Sequence, residues 1–268
     1  MGGTEPAPRR PGERRFEEFF VEDSYVTLKN YLYNYLERKR AINRALDGEV
    51  TLLLEVGSGL SPIVTGRNNV IYSELSFTAL RTLKGLDTKG HYVVADGTRL
   101  PFASSSLSHV ICSEVLEHVE NDQAAIGELA RVLNRGGRAY ITVPHRMFYF
   151  AADDRYVHHF RRYEIAEMTD KLREAGLRVR SIKKVLGPLE KITMFTLVML
   201  FSALHNLPGS SGAQQSRTTS VGAVVRAVVR PIFKWAHRGY AVLARLDAWV
   251  RPRSLATVIL FETIKEED

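Results

Sequence analysis

Cysteine is almost absent from this chain of 268 residues, which contains only Cys112. A disulfide framework is therefore excluded, and a reducing compartment fits the composition. Long apolar runs are also missing. The longest apolar run, 192–207, has sixteen residues, whereas a membrane-spanning helix needs roughly 20. Residues 1–15 contain no apolar segment of the kind found in secretory signals, and we expect a disordered lead-in there.

Acidic residues are scarce in one part of the chain. Residues 187–254 carry nine Lys and Arg but only two acids, whereas the rest of the chain has 28 residues of each sign. The net charge of +7 therefore belongs to that segment alone. This uneven distribution argues against a protein that coats nucleic acid over its whole surface.

Short β-rich runs alternate with helical stretches along most of the sequence. A helical, aromatic-rich pattern over 16–46 precedes them, and the clearest later helix covers 121–134. Strands that alternate with helices predict βαβ units, and therefore an α/β fold with a mostly parallel sheet. The seven predicted strands lie at 51–56, 70–75, 91–96, 109–114, 138–144, near 178–185 and at 255–263.

A glycine-containing turn, Gly57-Ser58-Gly59, follows the first predicted strand. Ligands of open α/β sheets bind beyond the carboxyl ends of the strands, where glycine permits a close backbone approach. Glu74 ends the second strand, where a carboxylate can accept both hydroxyls of a ribose. A dinucleotide motif would have glycine where Pro62 stands, and a helix of normal length hardly fits before Val70. The spacing therefore indicates a nucleoside ligand.

Two further acids end the next strands. Asp96 is followed by GTRLPF, in which Leu100 and Phe102 can flank an adenine ring, and Glu114 ends the fourth strand within CSEVLEHV. Together with LLLEVGSG and ELARVLNRGGRAYITVP, these segments resemble the class I S-adenosylmethionine-dependent methyltransferases. The likeness covers about residues 50–180 and is closest to the group with quinone-pathway and lipid-modifying enzymes.

The resemblance implies a Rossmann-like sheet of seven strands, mostly parallel, with helices on both faces and an antiparallel last strand. It implies S-adenosyl-L-methionine as cofactor. Glu55, Gly57 and Gly59 would hold the methionine part, and Glu74 the ribose. The adenine would be bound by Asp96 and Gly97, with Ser113 and Glu114 beside the methionine end. The chain departs from the family pattern at Ser61, where a third glycine is usual, and at Arg135, where proline is usual.

The catalytic candidates lie in the loop after the fifth strand. His145 follows the strand end directly and is the preferred general base. His159, within HHFRRYE, is the second candidate, and a packing and hydrogen-bonding role at the entry to the next helix is the alternative. Some similar quinone O-methyltransferases bind a divalent metal through residues that match Glu114, Glu117 and His118. We expect no metal here, and the sequence leaves the question open.

Residues 187–254 form an insertion between the last two strands, and 16–186 with 255–268 form the methyltransferase domain. We expect helices in the insertion, with a polar link at 207–220 and a second helix starting near Pro231. Two interpretations stay open: a membrane-surface element, or a helical cap or dimer contact. The basic and aromatic residues of the second helical segment are Arg226, Arg230, Lys234, Arg238, Phe233, Trp235, Tyr240 and Trp249.

The leading hypothesis is methyl transfer to a hydrophobic or lipid-linked small molecule at a membrane surface. We expect a cytoplasmic protein, peripheral at the inner face of the membrane, and no nucleic-acid partner; a homodimer stays open. The alternatives are an RNA or protein methyltransferase, and a non-catalytic cofactor-binding subunit of a membrane-associated complex. The element Ser113-Glu114-Val115-Leu116 differs from the Asp/Asn-Pro-Pro-aromatic element typical of amino-methylating DNA enzymes.

Overall fold

Seven strands form a single sheet in the computed structural model, which describes residues 32–86, 89–205 and 230–266. The strand order is β3-β2-β1-β4-β5-β7-β6. Neighbouring strands are parallel except at β7, which is antiparallel to both β5 and β6. The predicted sheet is therefore confirmed. The strands are β1 (Leu53–Val56), β2 (Val70–Glu74), β3 (His91–Val94), β4 (Leu107–Ser113), β5 (Leu133–Pro144), β6 (Leu177–Leu186) and β7 (Val258–Lys265).

Helices cover both faces of this sheet. One apolar core contains side chains of α3 and α5, and the other contains side chains of α1, α2 and α7. The central strands β1 and β2 are buried at every position, as continuous apolar runs between two helical layers require. The helices are α1 (Tyr33–Ala45), α2 (Phe77–Gly85), α3 (Asp122–Val132), α4 (Ala152–Tyr156), α5 (Ile165–Glu174), α6 (Pro188–His205) and α7 (Arg230–Val250).

Two sequence predictions about these elements fall outside the described residues: the lead-in 1–15 with the first half of the 16–46 helix, and the 207–220 link. One boundary prediction was wrong. The helix expected over 121–134 ends at Val132, and β5 begins at Leu133. The backbone N–H groups of Ser105 and Ser106 donate to the carbonyls of Arg131 and Val132, which ends the helix early.

Strand register brings the predicted site residues to one edge. Val56 lies opposite Ser73 in β2 and opposite Cys112 in β4, and Ser113 lies opposite Thr142 in β5. The carboxyl ends of these four strands therefore meet at the same level. The chain between Val56 and Val70 contains no helix, as predicted.

The insertion begins at the same edge. Pro144 of β5 and Leu186 of β6 both lie opposite Val258 of β7, so α6 leaves the sheet where the parallel strands end. The helix α7 packs against α1 and β6. An ion pair joins Arg245 to Glu37, with N–O distances of 2.9 and 2.6 Å. Among the described residues, no helix combines the length and the apolar character needed to cross a membrane.

Candidate active site

The turn after β1 needs glycine for steric reasons. Gly57 has φ of 66° and Gly59 has φ of 52°, both in the left-handed region that favours glycine. A Cβ atom on Gly57 would collide with a methyl group of Val115. The Gly57 N–H also donates to the Ser73 carbonyl at 2.8 Å. The glycine turn is thus pressed between the end of β2 and the loop after β4.

Glu74 joins the glycine turn to α2. Its Oε2 accepts from the Gly59 N–H at 3.0 Å, and its Oε1 accepts from the Leu75 and Ser76 N–H groups at 2.8 and 3.2 Å. Ser76 in turn caps α2 by accepting from the Ala79 N–H. The structure therefore places the predicted ribose-binding acid directly against the predicted methionine-binding turn.

Glu55 faces the backbone of the loop that follows the glycine turn. Its two oxygens accept from the N–H groups of Ile63 and Val64 at 2.6 and 3.2 Å. Burial raises the pKa of Glu55 to about 7, although both N–H groups and the Lys39 charge oppose the shift. In this structure Glu55 holds the backbone at Ile63 and Val64 in place through these two hydrogen bonds. Its expected contact with the methionine part of a cofactor stays a prediction.

Asp96 and Gly97 follow β3, next to Glu74. The exposed Asp96 accepts from the N–H and the hydroxyl of Thr98 at 2.8 and 2.7 Å. The Ala95 N–H donates to the Glu74 carbonyl at 3.1 Å, which fixes this turn against β2. A Cβ atom on Gly97 would lie 3.5 Å from Val56, an ordinary contact. The chain itself therefore does not require glycine at 97, and the adenine role stays a prediction.

Ser113 and Glu114 leave β4 at the same edge. Ser113 Oγ lies 2.9 Å from Thr142 Oγ1 and 3.4 Å from a guanidinium nitrogen of Arg38, a residue that the sequence did not point to. Glu114 has φ of 55°, uncommon for a residue with a side chain, and its N–H donates to the Thr142 carbonyl. Strained backbone of this kind is concentrated at functional sites.

Unpaired polar atoms surround this edge. The hydroxyls of Ser58 and Ser61 and the Oε1 of Glu114 are buried without a hydrogen-bond partner among the described residues. Leaving such a group unpaired costs about 1–3 kcal/mol. A ligand with an ammonium, a carboxylate and ribose hydroxyls would supply the missing partners. The residues present therefore fit S-adenosylmethionine.

His145 follows the end of β5 and pairs with Tyr163, just before α5. Its Nδ1 is 2.8 Å from the Tyr163 carbonyl, so Nδ1 carries the proton, and burial lowers the pKa of the ring. Its side chain lines an open depression of about 380 Å³ together with Arg146, Glu164 and Arg253. Among the described residues, no hydrogen bond or ion pair links its ring to the glycine turn or Glu114. The role of His145 as a base stays a prediction.

His159 occupies a buried, charged network. Its Nδ1 lies 2.9 Å from Asp154 Oδ1, which also accepts from Arg162 Nε at 2.8 Å. Lys191 of α6 donates to Asp154 at 2.6 Å. Burial alone would raise the pKa of Asp154, but His159, Arg162 and Lys191 hold it well below its usual range. Asp154 is thus an ionised partner that fixes the orientation of the His159 ring.

The structure also joins His159 to the turn after β4. His159 Nε2 lies 3.7 Å from Glu117 Oε1, and the His118 and His159 rings contact each other edge to face with centroids 4.7 Å apart. Sequence reasoning grouped Glu117 and His118 with Glu114, not with His159. Arg162 and Lys191 were also missed, since nothing local in the sequence distinguishes a buried cation from an exposed one.

Comparisons with known proteins agree with this geometry. Residues 54–141 match the family model described as a methyltransferase domain. A demethylmenaquinone methyltransferase of Corynebacterium glutamicum is 34% identical over 104 residues, which cover 38% of this chain and 45% of the relative. The match therefore spans less than half of that relative's length.

Solved structures share the fold over nearly the whole chain. A methyltransferase in complex with the Haloferax volcanii Trm112 methyltransferase activator is 15% identical, with a TM-score of 0.59 and coverage of 96% of this chain and 98% of that chain. The Haemonchus contortus phosphoethanolamine N-methyltransferase 2, in complex with S-adenosyl-L-methionine, is also 15% identical, with a TM-score of 0.53 and coverage of 94% and 60%. Residues 54–141 therefore match a methyltransferase domain, and the fold agrees with this match.

Proposed function

We propose that this protein transfers a methyl group from S-adenosylmethionine to a hydrophobic small molecule at the surface of an anionic membrane. One observation carries the cofactor part. Glu74, the Gly59 N–H and the unpaired polar atoms of Ser58, Ser61 and Glu114 converge at the carboxyl edge of β1, β2 and β4. S-adenosylmethionine supplies, when bound, an activated methyl group on a positively charged sulfur. The edge would position it, and Glu74 would accept from its ribose hydroxyls.

The residues best placed to receive a proton from an acceptor are Asp154 and His159. Because Asp154 accepts from Nδ1, the neutral His159 ring keeps the lone pair of Nε2 for a proton. The ring also packs against His118, in the turn that directly follows β4. Among the described residues, no hydrogen bond or ion pair joins the His145 ring to a carboxylate, and its Nδ1 donates to the Tyr163 carbonyl. His159 is therefore our preferred base, in place of His145.

Exposed apolar side chains support a hydrophobic acceptor. Several follow β5, where the loop leads into α4, and others lie on the first turns of α6. Both segments start at the carboxyl edge and are joined through Lys191. The similarity to a relative named demethylmenaquinone methyltransferase agrees with an apolar acceptor. The exposed side chains are Met147, Phe148, Tyr156, Phe160, Ile192 and Phe195.

The arrangement of α7 supports a membrane surface. Its buried side is formed by Ala241, Ala244 and Ala248, and Tyr240 packs on Tyr33 of α1, whereas six other large apolar residues point outwards. A helix that merely capped the domain would bury its large residues instead. Arg238 lies over the Trp235 ring at 5.4 Å, a pairing of cation and aromatic ring suited to a lipid headgroup region. The outward apolar residues are Trp235, Val242, Leu243, Leu246, Trp249 and Val250.

Calorimetry with S-adenosylmethionine tests the cofactor part. The wild type should bind, and Glu74→Ala should weaken binding by roughly 1–3 kcal/mol because a buried charged acceptor is lost. Glu74→Gln keeps the size of the side chain and should show most of this loss. Glu262→Gln, at a partly buried glutamate of β7, is the control and should bind normally. Unchanged affinity in both Glu74 variants, or preference for a nicotinamide dinucleotide, would refute the proposal.

Incubation of lipid extracts with enzyme and methyl-labelled cofactor tests the chemistry, with mass spectrometry as the readout. If His159 is the base, His159→Ala should lower turnover by roughly 10²–10⁴-fold while cofactor affinity is kept. His145→Ala is the matched comparison and should stay near the wild type. The reverse result would return the role to His145, and absence of any labelled product would contradict the acceptor class.

A further inference from the structure

The open depression beside His145 has positively charged walls. Three segments of the chain line its volume of about 380 Å³: 145–146 after β5, 164–166 at the start of α5, and 253–254 after α7. Two of the lining residues are arginines, Arg146 and Arg253, and only one, Glu164, is an acid. The net charge of this lining therefore favours an anion.

Both guanidinium groups have N–H donors to offer a ligand. Arg146 donates from Nη1 to the Ser254 carbonyl, which holds its side chain against the opposite wall and leaves its other side-chain donors without an acceptor among the described residues. The exposed guanidinium of Arg253 forms no hydrogen bond or ion pair within that part of the chain. Glu164 is engaged elsewhere, because its side chain accepts from the Glu167 N–H in the capping box of α5. Guanidinium groups bind phosphate oxygens through pairs of parallel hydrogen bonds.

The start of α5 adds backbone donors to the same depression. Ile165 and Ala166 are the first two residues of this ten-residue helix, and their N–H groups donate to no acceptor among the described residues. The first N–H groups of a helix and the positive end of its dipole together attract anions.

A buried polar atom on the floor of the depression indicates independently that the ligand is polar. The His145 side chain is 3% exposed, and its Nδ1 donates to the Tyr163 carbonyl. Its Nε2 has no hydrogen-bond partner among the described residues and is not sealed off from solvent, so it is open to the depression that the ring lines. An apolar ligand would leave this nitrogen and the helix N–H groups unpaired, at a cost in free energy.

We propose that Arg146, Arg253 and the first turn of α5 bind the phosphate group of a phosphate monoester. The tetrahedral phosphate presents oxygens in several directions, so it can accept from both guanidinium groups and from the helix N–H groups at once. The molecule that carries the phosphate is a lipid or a soluble compound. The exposed Trp249 and Val250 at the end of α7, just before Arg253, favour the lipid. Only this lipid source rests on the proposed membrane surface; the binding of phosphate does not rest on the proposed function.

Calorimetric titration of the full chain with glycerol 3-phosphate, in a buffer free of phosphate, tests the site. We expect one binding site per chain, with acetate bound roughly tenfold more weakly at the same ionic strength. Affinity for glycerol 3-phosphate should fall roughly tenfold or more in Arg253→Gln and in Arg146→Gln, because charged hydrogen bonds are lost. Arg251→Gln is the matched control and should bind like the wild type, since this exposed arginine pairs with Asp247 and does not line the depression. Melting temperatures identify unfolded variants, and Arg253→Gln remains decisive if Arg146→Gln fails to fold.

Vesicles distinguish the two sources of the phosphate group. A lipid source predicts tighter binding to vesicles with phosphatidic acid, a monoester, than to phosphatidylserine vesicles of equal surface charge. This preference should be lost in Arg253→Gln and kept in Arg251→Gln. Binding of glycerol 3-phosphate without that preference would support the site and assign it to a soluble compound.

Two results would overturn the phosphate site: wild-type protein that does not bind glycerol 3-phosphate, or equal losses of affinity in Arg251→Gln and Arg253→Gln. Equal affinity for acetate would also overturn it, because the depression would then not select phosphate. Binding of glycerol 3-phosphate by a chain that ignores every vesicle would instead contradict the membrane part of the proposed function and support the site.

Discussion

Glu55 is a residue whose ionisation should be visible in the stability of the whole fold. Burial raises its pKa to about 7 from an ordinary value of 4.5. A raised carboxyl pKa stabilises the folded state below pH 4.5, and this stabilisation is lost as the pH rises through 7. Each pKa unit corresponds to about 1.4 kcal/mol, so the free energy of unfolding should fall by roughly 3 kcal/mol across this window.

Urea denaturation between pH 4.5 and 8 measures this effect. In Glu55→Gln the slope should be missing, although the baseline stability should be lower because an amide cannot satisfy both the Ile63 and Val64 N–H groups. Other groups titrate in both proteins and cancel in the difference. If the free energy of unfolding changed with pH in the same way in both proteins, Glu55 would have an ordinary pKa. The backbone at Ile63 and Val64 would then be held by other contacts.

Contacts between neighbouring strands could be predicted at the residue scale, and contacts between distant loops could not. The meeting of Gly59 with Glu74 follows from the pairing of β1 with β2, because parallel neighbours end at one level. The meeting of His159 with Glu117 depends on how the loop after α4 folds back, 42 positions along the chain. No local periodicity records that path, and this is why His145, adjacent to a strand end, looked like the better base.

The link between α6 and α4 is the main polar connection from the insertion to the loop after β5. Lys191 Nζ lies 2.7 Å from both oxygens of Asp153 and 2.6 Å from Asp154 Oδ2, and all three side chains are nearly buried. Lys191→Met should destabilise the protein by about 3 kcal/mol or more, because two buried carboxylates lose a cation. Thermal or urea denaturation at neutral pH measures the loss.

Lys183→Met is the matched control for the loss of the Lys191 ion pairs between α6 and α4. Its side chain is 50% exposed and pairs with Glu262, so its loss should cost less than about 1 kcal/mol. Adding Asp153→Asn to Lys191→Met should recover part of the stability, since one uncompensated charge is removed. If Lys191→Met were no worse than Lys183→Met, the insertion would be attached by its apolar contacts alone.

Strands were easier to predict than the faces of helices. Short β-rich runs in the sequence predicted all seven strands. Only β5 starts clearly earlier than expected, because Leu133 pairs with Leu107 of β4. The segment that contains α7 reads as amphipathic, and that pattern predicts a helix with its large residues inside. The structure instead buries alanines against α1 and β6, since only small side chains allow such close packing. Sequence periodicity contains no information about which face meets the domain.

At the scale of the molecule, charge and apolar surface coincide on the described part of the insertion. The outward residues of α7 are large and apolar, and exposed arginines lie beside them at Arg238, Arg251 and Arg253. The only acid of α7, Asp247, accepts from the Leu189 N–H at 3.0 Å and lies 3.5 Å from Arg251 Nε. This face therefore offers an anionic bilayer both apolar area and a net positive charge, the two contributions that stable peripheral attachment requires.

Co-sedimentation with vesicles tests the attachment. The wild type should bind vesicles that contain anionic lipid at low salt and be released in part at high salt. Each basic residue near such a surface contributes about 1 kcal/mol, so replacing Arg238, Arg251 and Arg253 with Gln should weaken binding on the order of 100-fold. Gln at Arg173 and Arg178, which are 71% and 61% exposed on another part of the domain, is the charge control and should bind nearly normally.

The apolar contribution is separated by a second pair of variants. Trp235→Ser with Trp249→Ser removes two side chains that are 69% and 76% exposed, and it should weaken vesicle binding even at low salt. Phe77→Ser with Leu86→Ser, at positions 55% and 58% exposed on and after α2, is the matched control. Wild-type protein that ignores vesicles but sediments as a dimer, lost in the tryptophan variant, would assign this face to a second copy of the chain. The lipid-surface proposal would then fail, because α7 would already be covered.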